Sequence, residues 1–212
     1  LYTSETTSMP KGVKLTNGAI TGYVMGSNDA ASGEDMGRMA LAAPLYHIAG
    51  VTSMLNALYS GRVVVLLPQF EASAWIETVQ KHSVTHAFLV PTMLARVMEA
   101  DNFSMAAFEG MDAITYGAAP MPPSVIRRAI TVFPENVSFA GAYGQTETTS
   151  TVAVLDPDDH RVEGTEAEKA LKLKRLSSVG KVLDDVEVRI VDEAGLPVGL
   201  EVLGEVQLRT FR

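Results

Sequence analysis

Short apolar runs alternate with amphipathic stretches over the first two thirds of this 212-residue chain. The apolar runs are short and rich in β-branched residues, which is typical of buried strands. We expect these strands at residues 39–43, 62–67, 85–90, 113–116 and 137–140. Helices are expected between them, because Thr16, Gly61 and Pro91 are suited to helix ends. Strands joined by helical crossovers predict a mostly parallel sheet covered by helices, which is an α/β fold.

The pattern changes after residue 151. Residues 156–178 are polar and charged and include a helical stretch at 167–176, which predicts an excursion over the surface. Residues 186–191 and 204–209 alternate apolar and polar side chains, as antiparallel strands do. We therefore expect an α/β subdomain over residues 1–151, followed by a linker excursion and a second β subdomain over residues 152–212.

Composition excludes several classes of function. The formal net charge is −8 and no basic cluster occurs, which argues against nucleic acid or an anionic membrane surface as the partner. The chain has no cysteine and therefore no disulfide or thiolate site. Its four histidines lack the spacing of a zinc motif. Apolar runs stop at about five residues, too few to span a bilayer, and no signal peptide is visible. We expect a cytoplasmic protein.

The segment Y-T-S-E-T-T-S-M-P-K-G at residues 2–12 is rich in hydroxyl groups. Hydroxyls and backbone N–H groups can donate to phosphate oxygens, and Lys11 supplies a positive charge. The segment lacks the Gly-Lys-Ser/Thr of a Walker loop. Hydroxyl-rich segments beside a proline are also common in simple turns, so this reading stays open on these residues alone.

Three further segments follow predicted strands, where open α/β sheets bind their ligands. They are P-L-Y-H-I-A-G at residues 44–50, Y-G-A-A-P at 116–120 and Y-G-Q-T-E at 143–147. A tyrosine can stack on a base, a threonine can reach a phosphate, and a glutamate can hold Mg²⁺ beside phosphate oxygens. Taken singly, residues 116–120 are better explained as a tight strand-to-helix turn, residues 143–147 also suit a simple strand exit, and His47 is better explained as a partly buried structural histidine.

In this order, and with G-E-V-Q-L-R at residues 204–209, the segments resemble the adenylate-forming superfamily over essentially the whole chain. This superfamily includes acyl-CoA synthetases, aryl-CoA ligases and luciferases. The resemblance implies an enzyme that activates a carboxylic acid with ATP and Mg²⁺ and transfers the acyl group to coenzyme A. It also implies that the antiparallel strands after residue 151 belong to part of a β-barrel.

The resemblance implies a role for each matching residue. The β- and γ-phosphates would be held by Thr3, Ser4, Thr6, Thr7 and Lys11. The adenine would lie between Tyr143 and the segment Gly117, Ala118, Ala119 and Pro120. Gly144, Gln145 and Thr146 would complete the ATP site, with Thr146 at the α-phosphate and Glu147 binding Mg²⁺. His47 would lie beside the reacting carboxylate, so His47, Thr146 and Glu147 are the implied catalytic residues.

The acyl pocket would be lined by Tyr46, His47, Ile48, Val51, Phe88, Val90, Ala140 and Ala142. These residues are mostly apolar or small, and no aspartate near Tyr46 could bind an amino group. We therefore expect an aryl acid or a short to medium aliphatic acid, as in fatty acid metabolism, rather than an amino acid. The rest of the family's length is missing, so we expect this chain not to turn over alone. Unpaired sheet edges predict a homo-oligomer or an edge-paired dimer.

Two positions depart from the family's phosphate loop, where Glu5 and Ser8 replace glycines. A carboxylate at position 5 would face the triphosphate, and the loss of glycine would restrict the loop. The chain could therefore belong to a degenerate relative that binds a ligand or partner without turnover. Alternatively, the loop tolerates both residues by pointing Glu5 into solvent.

Restoring both glycines should strengthen nucleotide binding. A like charge about 4 Å away costs on the order of 1 kcal/mol in water and about 4 kcal/mol at an effective dielectric near 20. We expect Glu5→Gly/Ser8→Gly to bind Mg·ATP roughly 5- to 1,000-fold more tightly in titration calorimetry. Equal affinities would mean that Glu5 points away from the nucleotide.

Overall fold

The computed structural model describes residues 1–3 and 11–211. The strands in this part of the chain are β1 (Tyr2–Thr3), β2 (Lys11–Gly12), β3 (Arg38–Leu41), β4 (Val63–Leu66), β5 (His86–Leu89), β6 (Ala113–Gly117), β7 (Ser138–Gln145), β8 (Ser150–Leu155), β9 (Lys181–Val182), β10 (Val186–Val191) and β11 (Glu205–Thr210). The helices are α1 (Asn17–Ser27), α2 (Ile48–Tyr59), α3 (Ala72–Lys81), α4 (Pro91–Glu99), α5 (Pro123–Val132), α6 (Pro157–His160) and α7 (Glu166–Arg175). Short 3₁₀ helices lie at Met105–Phe108 and Thr146–Thr148.

Strands β3–β9 form one sheet in the order β4-β3-β5-β6-β7-β8-β9. Neighbours among β3–β7 are parallel, whereas β8 and β9 extend the sheet with antiparallel pairing. Strands β10 and β11 form a separate antiparallel pair. The predicted α/β fold with a mostly parallel sheet is therefore confirmed, and antiparallel strands follow it as expected.

Strand β8 crosses residue 151, where the sequence pattern changes. It pairs with β7 and lies in the same sheet as the parallel strands. The change of pattern therefore begins as a change of strand direction within one sheet, and the separate antiparallel pair starts only at Val186. The division into subdomains at this residue stays a prediction.

The two faces of the sheet are packed differently. Because side chains alternate along a strand, Ala40 and Ala42 face the larger core while Leu41 and Ala43 face a smaller one. The larger core contains Trp75 of α3, and the smaller one lies against α2. None of the helices among the described residues is both long and apolar enough to cross a bilayer.

Trp75 lies at the centre of the larger core. Its side chain is fully buried and stacks on Phe108 with ring centroids 6.1 Å apart. Its indole N–H is buried without a hydrogen-bond partner in the described part of the chain. The aromatic cluster continues through Phe103 and Phe133, so the covering elements α3 and Met105–Phe108 pack on one contiguous apolar layer.

Trp75→Ala should lower the free energy of unfolding by about 3–5 kcal/mol, because it leaves a cavity in this layer. Trp75→Phe should cost clearly less, since phenylalanine retains a ring against Phe108 and removes the unpartnered N–H donor. Urea denaturation of both variants checks the order. Equal losses would contradict the interpretation that ring packing, rather than an indole hydrogen bond, stabilises this position.

Candidate functional site

The segments singled out in the sequence meet along one edge of the sheet. Residues 44–47 follow β3, Val90 follows β5, and residues 117–120 follow or end β6. Strand β7 is longer than predicted and includes residues 143–145, so only Thr146 and Glu147 of that segment lie beyond it. Because β3–β7 are parallel, all these strand ends lie at the same edge.

A cavity of about 380 Å³ lies where β6 and β7 end. We call it the β6–β7 cavity; it is lined by residues 116–121, 141–144, 155 and 176–179. It brings together Gly117, Ala118, Ala119 and Pro120 with Tyr143 and Gly144, as the sequence predicts. Tyr143 is 39% exposed. The volume of the β6–β7 cavity lies within the range of small-molecule sites.

Backbone geometry narrows this cavity between the two strands. Gly117 pairs with Ala142, and a Cβ atom at residue 117 would collide with the Ala142 carbonyl oxygen. Ala118 follows with φ of 64°, a conformation that costs free energy in any residue with a side chain. Only glycine fits at residue 117, and the strained Ala118 turns the chain sharply out of the sheet.

The turn between β7 and β8 is equally constrained. The register shifts between Tyr143 and Gly144, and a Cβ atom on Gly144 would collide with the Ser150 carbonyl. Thr149 and Ser150 have φ of 54° and 90°. The Thr148 hydroxyl donates to the carbonyls of both Gln145 and Ser150 at 3.2 Å. Bulges and strained residues of this kind are common beside active sites, where they aim side chains.

This tight turn holds Thr146 and Glu147 at the sheet edge. Thr146 is half-buried, and Glu147 is exposed. No cluster of three or more metal-ligating side chains occurs among residues 1–3 and 11–211. A single carboxylate nevertheless fits Mg²⁺, which takes one or two carboxylates together with phosphate oxygens. The predicted role of Glu147 is therefore chemically reasonable at this position.

A buried hydrogen bond attaches the polar excursion to the sheet. The Tyr116 hydroxyl lies 2.8 Å from Nε2 of His160, whose Nδ1 lies 2.8 Å from the Asp156 carbonyl oxygen. Burial raises the pKa of Tyr116 to about 12 and lowers the pKa of His160. The phenol therefore donates to Nε2 of a neutral imidazole, and the Nδ1–H donates to Asp156.

The excursion also forms one wall of the β6–β7 cavity. Arg175 of α7 pairs with Asp159 at 2.9 Å, and Leu176 directly after α7 is buried at 2% exposure. Residues 176–179 line the cavity opposite the strand ends. The prediction that residues 156–178 only pass over the surface is therefore wrong at both ends of this segment, where His160 and Leu176 are buried. The wall went unrecognised in the sequence, although Leu176 in a charged stretch was a visible signal.

A second cavity, which we call the α2 cavity, has a volume of about 170 Å³. Its walls come from α1, α2 and strands β3, β5, β6, β7 and β8. It contains Phe88 and Ala142 of the predicted acyl pocket. Ala142 also lines the β6–β7 cavity and, with Ala140, a third cavity of about 580 Å³ near β9. The β6–β7 cavity and the α2 cavity thus have one lining residue in common, Ala142 of β7.

The remaining residues of the predicted acyl and catalytic sets do not line these three cavities. Tyr46 is 70% exposed, with its ring centroid 4.9 Å from that of His47. His47 precedes α2 as its N-cap residue and makes no side-chain capping bond. The others outside the cavities are Ile48, Val51, Val90, Thr146 and Glu147, and Gln145 of the predicted ATP site also lies outside them. All lie at or near the carboxyl edge of the sheet.

The ends of the predicted phosphate loop are paired. Thr3 faces Lys11, and Tyr2 faces Gly12, in the antiparallel pair of β1 and β2. The Val13 amide also donates to the Leu1 carbonyl at 2.7 Å. The predicted phosphate ligands Ser4, Thr6 and Thr7, and the altered positions Glu5 and Ser8, lie outside the described residues.

Sequence reasoning missed the polar residues of the α2 cavity. Asn56, Arg62 and His86 line its end away from His47. A signal was present, since Arg62 directly precedes the apolar strand β4 and His86 is the first residue of the otherwise apolar strand β5. Their significance became visible only when the sheet placed the starts of β4 and β5 on either side of β3.

Comparison with known proteins agrees with this geometry. The model of the AMP-binding enzyme family matches residues 1–210. Indoleacetate–CoA ligase of Aromatoleum aromaticum is 29% identical over 209 residues, which cover 98% of this chain and 38% of that protein. The structure of o-succinylbenzoate CoA synthetase (MenE) from Bacillus subtilis with its acyl-adenylate intermediate has a TM-score of 0.80 at 28% identity, covering 99% of this chain and 40% of that one.

A third similar structure is the amide bond synthetase McbA from Marinactinospora thermotolerans. Its TM-score is 0.81 at 29% identity, with coverage of 99% of this chain and 39% of McbA. This chain therefore spans about two fifths of the length of these relatives. The fold is that of these adenylate-forming relatives. The chain belongs to the AMP-binding enzyme family.

The buried His160 should make stability depend on pH. Because burial lowers its pKa in the folded state, the unfolded state binds more protons below about pH 6.5, and the free energy of unfolding falls as pH falls. Burial and the Arg62 charge lower the pKa of His86 and act in the same direction.

We expect His160→Gln to flatten this dependence between about pH 7 and pH 5. The matched control is His82→Gln, because His82 lies exposed after α3 and should leave the slope unchanged. Urea denaturation at several pH values measures both slopes. The same slope in His160→Gln as in the parent would contradict the assignment of a buried neutral imidazole.

Proposed function

We propose that this chain carries the nucleotide and acid sites of an ATP-dependent acyl- or aryl-CoA synthetase. One observation carries the proposal: Ala142 borders both the β6–β7 cavity and the α2 cavity. A nucleotide in the first cavity and an acid in the second would therefore approach each other across a single residue of β7. Such a juxtaposition suits a reaction that joins the two.

The β6–β7 cavity would hold the adenosine. The close backbone approach of Gly117 and Ala142 leaves a narrow space for a flat ring, and Tyr143 offers a face for stacking. Gly144, Gln145 and Thr146 would lead from the base towards the phosphates. A relative supports this choice, since MenE has been solved with ATP and magnesium ion.

The phosphates would lie between the Thr146–Thr148 turn and the loop whose ends are paired in β1 and β2. Thr3, Ser4, Thr6, Thr7 and Lys11 would bind the β- and γ-phosphates. Glu147 would bind Mg²⁺, which neutralises charge on the phosphate oxygens when bound. Donors fixed by the backbone would stabilise charge developing in the transition state without reorganising.

The acid would enter beside His47 and extend into the α2 cavity. A cavity of roughly 150 Å³ can hold benzene, so the 170 Å³ here suits one aromatic ring or a short chain. Phe88 and Ala142 would contact it directly. Its mouth would be formed by Tyr46, Ile48, Val51 and Val90. Ala140 lies two residues before Ala142 on the same strand, β7.

The proposed chemistry has two steps. A carboxylate oxygen of the acid attacks the α-phosphorus of ATP, the bond to the bridging oxygen breaks, and pyrophosphate leaves. The thiolate of coenzyme A then attacks the acyl carbon, and AMP leaves with the bonding electron pair. His47 would orient the carboxylate, and Thr146 would donate to the α-phosphate.

A second candidate follows from Glu5 and Ser8, which replace glycines in the phosphate loop. A protein with this loop could bind an acid or a partner without adenylating it. The Glu5→Gly/Ser8→Gly variant separates the candidates, because a degenerate protein would form no adenylate without the change, whereas a synthetase would already form it.

The assay for the proposal is formation of acyl hydroxamate by the full-length protein from ATP, Mg²⁺, hydroxylamine and a panel of aryl and aliphatic acids. We expect Glu147→Gln to lower the rate by roughly 100-fold or more, since a preorganised electrostatic contact is lost. Its fold should survive because Glu147 is exposed.

Glu135→Gln is the matched control. Glu135 is also exposed but precedes β7, at the opposite edge of the sheet, so its hydroxamate rate should equal that of the parent. Absence of hydroxamate with every acid would overturn the proposed synthetase. Equal rates in the Glu147→Gln variant and the parent would overturn the metal-binding role.

A further inference from the structure

The end of the α2 cavity farthest from His47 is polar. Helix α2 lines the cavity with Ala49, Thr52, Ser53 and Asn56, residues that recur on one helix face. At a rise of about 1.5 Å per residue, they extend the cavity roughly 10 Å along the helix. Arg62 and His86 complete the far end. An acid that enters at His47 would therefore meet polar groups at its opposite end.

Two polar atoms at this end are buried and have no hydrogen-bond partner among the described residues. They are Nε of Arg62 and Oδ1 of Asn56. Buried polar groups in folded proteins are almost always hydrogen-bonded, so two orphaned atoms on residues that line one cavity mark a polar end that the fold itself leaves unsatisfied. Both atoms are sealed from solvent, so a ligand in the cavity would contact the other polar atoms of these two side chains.

Arg62 also lacks an anionic partner. Within residues 1–3 and 11–211, no carboxylate forms an ion pair with its guanidinium. Burial lowers the pKa of the half-buried His86, and the nearby Arg62 charge lowers it further. His86 is thereby kept neutral at pH 7, and the far end of the cavity carries the positive charge of Arg62.

We infer that the acid substrate carries a second carboxylate at the end opposite the reacting one, and that Arg62 and Asn56 bind this distal carboxylate. The inference rests on the proposed function and narrows its substrate class to diacids. The guanidinium donates to the carboxylate through its terminal N–H groups, and the Asn56 amide donates through its NH₂ group. Charge-assisted bonds of this kind are the strongest hydrogen bonds that side chains make.

The volume and length limit the spacer between the two carboxylates. One aromatic ring or a short chain fills about 170 Å³. A rigid probe of this size is 4-carboxycinnamate, and cinnamate differs from it only by the distal carboxylate. Adipate and hexanoate form the corresponding flexible pair, and 4-hydroxycinnamate carries a distal group that is polar but uncharged.

The experiment measures kcat/KM for hydroxamate formation by the full-length protein with each probe, and dissociation constants by calorimetry. We expect the parent to prefer the diacid of each pair, and Arg62→Met to lower that preference roughly 10- to 100-fold. Methionine keeps an apolar stem in place of the arginine. The backbone amide of Arg62 still donates to Ala57 at 2.8 Å.

The control is Arg127→Met, the same substitution on the exposed face of α5. It should leave the diacid preference unchanged. Because the preference is a ratio within one protein, a general loss of folded enzyme in Arg62→Met does not alter it. Arg62→Lys should keep part of the preference, since lysine supplies the charge without the planar fork.

Three results would overturn the inference. They are a parent that prefers the monoacids, a parent that prefers 4-hydroxycinnamate to 4-carboxycinnamate, and an unchanged preference in Arg62→Met. In each case the monoacids would still form hydroxamate, and the proposed function would stand. If the diacids bind in calorimetry in an Arg62-dependent way but none is adenylated, the distal site is supported and the proposed synthetase is not.

Discussion

The parallel pairing of β6 with β7 ends at Gly117 and Ala142, whose backbones touch so closely that no side chain fits at residue 117. Their contact determines where the two strands diverge and hence where the β6–β7 cavity opens. It also places Ala142 against the α2 cavity on the other side. The nucleotide and acid sites that we propose therefore depend on one pair of residues in register.

This arrangement depends in turn on a bond from outside the sheet. Tyr116 immediately precedes Gly117, and its hydroxyl donates to the buried His160 of the polar excursion. The same excursion supplies residues 176–179 to the cavity wall. A single polar contact thus couples the strand exit to the opposite wall. Since a partly satisfied buried network is costly, both ends of the bond stabilise one geometry of the cavity.

Much of the fold could be predicted from sequence because the buried parallel strands are short, apolar and regularly spaced. The helix start at Thr16 was also predictable, since its hydroxyl accepts from the Ala19 amide at 3.0 Å. The end of β7 was not, because Gly144 and Gln145 look like a loop in sequence. They extend the strand through pairing with β8, which is a tertiary contact without a local signal.

The candidate site, like the fold, could be predicted from the sequence only in part. Residues that touch a cavity through the backbone, such as Gly117 and Ala118, stand out in sequence as small residues after a strand. The polar end of the α2 cavity did not, because Asn56, Arg62 and His86 come from three elements that only the sheet order brings together.

The unequal packing of the two sheet faces has a consequence for evolvability. The face with Trp75 and Phe108 is filled with apolar side chains, and most of the apolar burial lies there. The α2 face carries fewer core residues and contains the α2 cavity. Substitutions that reshape this cavity therefore leave the packing of the larger core unchanged. A lineage built on this sheet could therefore reshape the proposed acid site by substitutions on one face while the other face preserves the fold.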